Sequence, residues 1–373
     1  MKPMTVTTRA MYHAATSRTL TVQEAVAMLK NEMKPRSLPD KLERFAKGRE
    51  LRPLLVEGMS RNHPDKKRDS MERKVRDWYS GKDRAIRKED ALELCFILQL
   101  SVEEADELLS LITEEGFHWR TPEEIVFAYA LKKGMTYPDA CALNERMQHL
   151  ICPANDAASP AADSFTAVVR TEVASLDTEE QLADYLLRSH TRLGRFHNTA
   201  YSFFMDCMSL LEDAQIADGL EDTKAMSTRD VVEQYFFRRL IPRVKRSSRD
   251  PEGKSLSAIQ RSIWANWPEE VAISRMKNRT ADVTRKVIIL LFIATDGGMD
   301  DEDDTLLDED REFDFEDVYT RLNDTLSYCG FSALDPRAPF DWMMLYCMCA
   351  EDLFDVDMQM ESFLGTLFAD GDA

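Results

Sequence analysis

The residues most suited to chemistry are the bases between positions 61 and 88. This stretch carries eleven Lys and Arg side chains against five Asp and Glu, a net charge of +6 in a chain whose formal net charge is −19. Clustered Lys and Arg side chains bind phosphate oxygens and supply much of the affinity of proteins for nucleic acid. The segment therefore predicts an anion-binding face. The alternative interpretation is a solvated basic surface that has no ligand.

A helix is expected to carry the first part of these bases. Residues 66–79 read KKRDSMERKVRDWY, and Met71, Val75 and Trp78 follow the three- and four-residue spacing of an apolar helix face. A helix that packs its apolar face on a core and presents bases outward suits insertion into a major groove. The predicted DNA contacts, in this helix and in the segment that follows it, are Lys66, Lys67, Arg68, Ser70, Arg73, Lys74, Lys82, Arg84 and Arg87.

Further helices are expected on both sides of this basic segment. An apolar helix is expected at 51–59, a turn at 61–65, and two further helices at 88–98 and from 102 onward. Residues 50–110 resemble the Cro/repressor-type helix-turn-helix, although the Gln-x-x-(Leu/Val)-Ala signature of that family's second helix is absent. The residues that carry the resemblance are Val75, Trp78, Gly81, Lys82, Ile86, Ala91, Leu94, Leu98, Leu100 and Ser101.

The resemblance implies sequence-specific binding of double-stranded DNA, in the manner of a transcriptional regulator. Residues 66–76 would enter the major groove, and Lys82, Arg84 and Arg87 would hold the phosphate backbone. Modules of this type usually act as dimers, so a homodimer is expected, with the C-terminal part serving dimerisation, sensing or a protein partner. A helical protein-interaction scaffold that binds no DNA is the alternative function.

The remainder of the chain predicts an all-α fold. Helical periodicity dominates, and no segment alternates apolar and polar residues as a half-buried strand does. The segment CPANDAASPAADS is small, polar and contains proline, so a linker is expected at 151–164. It would separate a helix-turn-helix module with a helical extension (1–150) from a larger C-terminal helical domain (165–373).

One pattern occurs twice along the chain. Both copies have an Arg, a Pro, an acid and a Tyr at the same relative positions: Arg120, Pro122, Glu124 and Tyr129, and then Arg337, Pro339, Asp341 and Tyr346. The spacing suggests a diverged duplication. The alternative is that capped helices recur because helix capping uses few residue types.

The duplication hypothesis gives a second basic tract, residues 229–286, a possible role. If it holds, Trp267 to Leu291 corresponds to Trp78 to Leu98, and the tract is a second, degenerate helix-turn-helix. The alternative is an ordinary solvated helix and loop, with Trp264 and Trp267 in the core.

An acidic loop is expected at 296–312. Residues 300–317 carry twelve acids against one base, and no Gly occupies the turn position that a calcium-binding loop requires. The composition is typical of a solvated loop.

The sequence predicts no enzyme, cofactor or metal site. Phosphate-binding loops, nucleophile elbows and zinc-protease motifs are missing. His190 and His197 are the best candidates for an unrecognised enzyme pocket, against the alternative of a polar turn between helices.

Localisation follows from the cysteines and from the apolar segments. The seven cysteines are odd in number and scattered through apolar helical patterns, which predicts free thiols and a cytoplasmic location. The longest apolar run, residues 287–294, is too short to cross a bilayer, and the first twenty residues lack a secretory signal. No membrane partner is therefore expected.

Overall fold

The chain folds into helices, as the sequence predicts. A computed structural model describes residues 5–33, 37–80, 86–150, 165–189, 193–194, 196–213, 226–242, 256–295, 315–350 and 353–369. Over these residues it contains nineteen α-helices and no β-sheet, and one isolated bridge pairs Glu115 with Phe331. The predicted linker at 151–164 and the acidic loop at 296–312 lie outside the described residues.

The helices follow one another in this order: α1 Val6–Thr16, α2 Val22–Asn31, α3 Leu38–Leu42, α4 Leu51–Asn62, α5 Arg68–Tyr79, α6 Lys88–Leu98, α7 Val102–Thr113, α8 Pro122–Lys132, α9 Tyr137–Met147, α10 Phe165–Ser175, α11 Glu179–Arg188, α12 Asn198–Asp213, α13 Thr228–Gln234, α14 Ala258–Trp264, α15 Glu270–Lys277, α16 Arg285–Ala294, α17 Phe315–Tyr328, α18 Pro339–Cys347 and α19 Leu353–Ala369. No helix among the described residues is long and apolar enough to cross a membrane.

The chain divides into two compact units that do not follow the boundary predicted from the sequence. The first unit comprises Arg36–Tyr201 and Ser327–Ser332, and it contains α3 to α11. The second unit comprises Met1–Pro35, Ser202–Leu326 and Ala333–Ala373. It contains α1, α2, most of α12, and α13 to α19.

Apolar packing explains why the units divide there. In the first unit α10 and α11 pack on α8, and their Val169, Val173 and Leu182 share one core with Leu94 and Ile125. In the second unit α1 packs on α18 and α2 packs on α19. The composition of residues 151–164 signals a break in regular structure, but the apolar faces of the flanking helices decide which helices belong together.

Helix α6 is the centre of the first unit. Every side chain from Ala91 to Leu98 is buried, and α6 packs on α4, α7, α8 and α9. The approach of α4 to α6 is close at Gly58, where an added Cβ would lie 2.5 Å from Ile97 Cγ2. Gly58 therefore allows α4 to approach α6 closely. α4 directly precedes α5, the predicted DNA-binding helix.

Replacing Gly58 with alanine should destabilise the protein. Because Ile97 is β-branched and buried, its side chain has little room to move, and we expect the free energy of unfolding to fall by about 1–3 kcal/mol. Denaturant unfolding of G58A measures the change.

G365A is the matched control, because Gly365 lies within α19 and a Cβ there would meet nothing within 4 Å. Alanine favours a helix over glycine by about 1 kcal/mol, so G365A should be neutral or stabilising. Equal stability of G58A and the unsubstituted protein would contradict the close packing of α4 on α6.

Candidate nucleic-acid interface

The segment predicted to bind DNA lies in the first unit, among helices α3 to α7. α4 ends at Asn62, and residues 63–67 form a five-residue turn before α5. The helix begins at Arg68, two residues later than predicted, because Lys67 has the extended backbone of a residue that precedes a helix. α5 packs on α3 and α4, and α4 also packs on α6.

α5 is amphipathic in the way the sequence predicts. Met71 and Val75 are buried in the core of the first unit, and the half-buried Trp78 packs against that core. Its remaining side chains are exposed apart from the half-buried Lys74. The exposed face therefore carries the charges of the helix, and residues 66–79 hold six bases and three acids.

Most of the predicted contact residues are exposed, namely Lys66, Lys67, Arg68, Ser70, Arg73 and, just before α6, Arg87. Lys82 and Arg84 lie outside the described residues. Arg76, which the sequence analysis did not place among the contacts, is exposed on the same helix. The structure thus places exposed bases on the turn before α5, on α5 itself and just before α6.

The exposed bases differ in whether an acid already neutralises them. Arg68 pairs with Glu72 at 3.1 Å across one helical turn, and Arg87 Nη2 lies 3.8 Å from Asp90 Oδ1. Within the described part of the chain, Lys66, Lys67, Arg73 and Arg76 form no ion pair. These four side chains are the ones with charge available for a ligand.

Lys74 has a different environment from its neighbours. Its Nζ atom donates to Asp90 Oδ1 at 2.7 Å and lies 5.3 Å from the centre of the Trp78 ring. The pair is partly buried and joins α5 to α6. The ammonium group is therefore engaged within the unit, and its main effect is to hold α5 on its support.

A buried carboxylate lies beneath the turn between α4 and α5. Glu93 of α6 is only 3% exposed, and it accepts hydrogen bonds from Asn62 Nδ2 at 3.0 Å and from the ring of His63 at 3.3 Å. Both donors are at the end of α4, so Glu93 fixes the place where the chain turns toward α5. The sequence analysis missed this residue, although Glu93 is the one charged residue in the otherwise apolar run 91–98.

The second basic tract is used mostly within its own unit. Five of its nine described bases bond as follows: Arg238 with Glu269 at 3.0 Å, Arg239 with Glu361 at 2.7 Å, Lys277 with Glu212 at 2.6 Å, Arg285 with Asp341 at 2.8 Å, and Lys286 with the carbonyl oxygens of Ile263 and Ala265. Arg229, Arg261 and Arg275 are exposed. Trp264 and Trp267 donate to backbone carbonyl oxygens. Residues 243–250 lie outside the described residues. This arrangement favours the structural interpretation of the tract.

A histidine pair occurs in the first unit, but it differs from the pair singled out in the sequence. The His197 ring lies next to the His118 ring, with ring centres 3.9 Å apart and the planes tilted by 39°, whereas His190 lies outside the described residues. His118 is buried, and its Nδ1 is hydrogen-bonded to Thr121 Oγ1. Burial, together with the nearby His197, Lys88 and Arg120, lowers the pKa of His118 well below its usual value, so its ring is neutral at pH 7.

The cysteines among the described residues are free thiols. Of the six that are described, five are buried and none forms a disulfide. Burial raises the pKa of the Cys207 thiol to about 11 and that of Cys349 to about 12. Protonated, buried thiols are poor nucleophiles and poor metal ligands.

The variants Lys74→Ala and Arg73→Ala should distinguish a base that stabilises the fold from a base that is exposed to solvent. Removing Lys74 leaves the partly buried Asp90 without its ammonium partner, so the free energy of unfolding should fall by about 1–3 kcal/mol. Arg73 is exposed, and its removal should change stability by less than about 0.5 kcal/mol. Urea unfolding of both variants makes the comparison, and equal losses would contradict the different roles of the two bases.

Comparison with known proteins adds no relative. No protein-family model, no curated protein and no solved structure matches the chain.

Proposed function

We propose that the protein binds double-stranded DNA through the exposed face of α5 and acts as a sequence-specific transcriptional regulator. The observation that carries this proposal is the group of exposed, unneutralised bases on the turn and helix: Lys66, Lys67, Arg73 and Arg76. A cytoplasmic location is part of the same proposal.

The anchoring of α5 favours a groove-binding role over that of a diffuse basic surface. The turn before α5 is tied to buried Glu93, and α5 itself is tied to Asp90 and packed through Met71 and Val75. A helix held at both its turn and its body can present side chains to base edges in a fixed register. A merely solvated basic face needs no such anchoring.

The charge distribution explains how an acidic protein can bind a polyanion. The formal net charge of −19 opposes binding at long range, but screening at physiological salt limits that effect to about 8 Å. The local bases then determine the affinity. About three phosphate contacts per module, from Lys66, Lys67 and Arg76, would give a slope of roughly −3 for the logarithm of the binding constant against the logarithm of salt concentration.

Arg73→Ala and Lys67→Ala should weaken DNA binding in two different ways. Arg73 lies on the exposed face of α5, and losing a base contact there should cost about 1–3 kcal/mol and relax sequence preference. Lys67 precedes the helix, and losing a phosphate contact should weaken binding to all sequences and reduce the salt slope by about 1. Selection from random duplexes with the full chain, followed by titration of the selected duplex, provides both measurements.

The control removes equal charge elsewhere. Arg9 on α1 and Arg261 on α14 are exposed, and R9A and R261A should leave affinity and salt slope unchanged. If the selection enriches no sequence and the unsubstituted protein shows no salt-dependent duplex binding, the DNA-binding proposal is wrong. The interaction scaffold then becomes the better description.

A further inference from the structure

We propose that the chain consists of two diverged copies of one nine-helix unit, of which only the first copy has kept a DNA-binding helix. The second part of this proposal rests on the proposed function, and the first part does not. The first copy is α3 to α11, and the second is α13 to α19 together with α1 and α2, whereas α12 lies between the copies in sequence and has no counterpart.

The first unit contains an acid that connects three segments. Glu124, in the first turn of α8, pairs with Lys88 at the start of α6 at 2.8 Å, and it accepts the backbone N–H of His118, six residues earlier, at 2.7 Å. The N–H of the preceding residue, Phe117, donates at 2.7 Å to Asp106 of α7, which lies eleven residues earlier in the chain. These contacts fix the loop between α7 and α8.

The second unit repeats these contacts with other residues. Asp341, in the first turn of α18, pairs at 2.8 Å with Arg285 at the start of α16, and it accepts the backbone N–H of Asp335, six residues earlier, at 2.7 Å. The adjacent N–H of Leu334 donates at 2.8 Å to Asn323 of α17, eleven residues before it. Residue type changes at all five of these positions, whereas the donor or acceptor role and the spacing within the loop are the same. The base precedes the acid by 36 residues in the first unit and by 56 in the second, so the repeat allows segments of different length between these helices.

The equivalence extends to the start of each copy. α3 and α13 both begin with a capping box in which a Ser and an Asp three residues later bond each other's backbone N–H, and a 3₁₀ turn follows each helix. α3 packs on α5, as α13 packs on α15. A five-residue turn joins α4 to α5 and another joins α14 to α15.

In the second copy, α1 and α2 correspond to α10 and α11 of the first copy. In the first unit a pair of 11 and 10 residues, α10 and α11, packs on α8. In the second unit a pair of the same lengths, α1 and α2, packs on α18 and α19. The shorter helix begins in both cases with a Thr capping box, at Thr178 and at Thr21. The pair that closes the second copy therefore comes from the start of the chain, which explains why residues 1–35 belong to that unit.

This equivalence changes the register suggested by the sequence. Matching the two turns pairs Arg73 of α5 with Arg275 of α15, and it places Trp267 in the turn before α15 rather than opposite Trp78. The sequence comparison relied on the tryptophans, whereas the contacts of Lys88 and Arg285 align the following helices.

The two copies differ at the face that would meet DNA. Residues 66–68 are Lys, Lys and Arg, and the matching residues 268–270 are Pro, Glu and Glu. Acids at the start of α15 would repel phosphates, and Glu269 is paired with Arg238. Lys277 at the end of α15 is bonded to Glu212. We infer that each chain presents one DNA-binding helix, α5, and that a site with two half-sites requires a second copy of the chain.

Arg73→Ala and Arg275→Ala form the matched pair that tests this asymmetry in the full chain. Both residues are exposed at equivalent positions. Using the duplex selected by the unsubstituted protein, R73A should weaken binding about 10- to 100-fold, and R275A should change it less than twofold. Equal weakening by both variants would overturn the inference of a single DNA-binding helix while leaving DNA binding intact.

Hydrogen exchange tests the duplication without reference to DNA. Glu124→Ala removes the acceptor of the His118 amide and should speed exchange in that loop, and Asp341→Ala should do the same for the Asp335 amide, each without affecting the other loop. Mass spectrometry of peptides from both loops reports the result. Retained protection in either variant would overturn the equivalence of the two acids, whereas an absence of DNA binding would overturn only the functional part.

Discussion

Burial of α6 is the constraint on which the first unit depends. A helix whose side chains are buried from Ala91 to Leu98 leaves its polar residues with few places to find partners. An unpaired buried carboxylate is costly, and the buried and half-buried polar groups of α6 bond to neighbouring elements. Glu93 accepts a hydrogen bond from the end of α4, and Asp90 accepts one from Lys74 of α5. Lys88 forms an ion pair with Glu124 of α8. Three separate elements are positioned by the need to satisfy one helix.

The same constraint separates two kinds of basic residue that composition does not distinguish. A base within reach of a buried or half-buried acid becomes part of the support, as Lys74 does in the first unit and Arg285 does in the second. A base on the outer face of a helix, such as Arg73, has no such partner and keeps its charge for the solvent or for a ligand. Basic tracts of similar composition can therefore have opposite roles.

The two units that we propose as diverged copies differ in the residues that make equivalent contacts. The ion pair at the start of α6 is Lys with Glu, and at the start of α16 it is Arg with Asp. The longer base is paired with the shorter acid, and both ion pairs have an N–O distance of 2.8 Å. Similarity at the level of contacts can thus persist where identity of residues has largely been lost. The two tryptophans that look alike in the sequence are a poorer guide than the bases that meet the same acid.

The sequence by itself determined the all-α class and the amphipathic basic helix, because helical periodicity is a local property of the chain. It also indicated the repeat, through the equal spacing around Pro122 and Pro339. Only the tertiary structure decided that residues 1–35 complete the second unit, that Glu93 holds the turn before α5, and which bases stay exposed. These outcomes depend on contacts between residues far apart in the chain, and a local pattern carries no information on which buried acid a given base will reach.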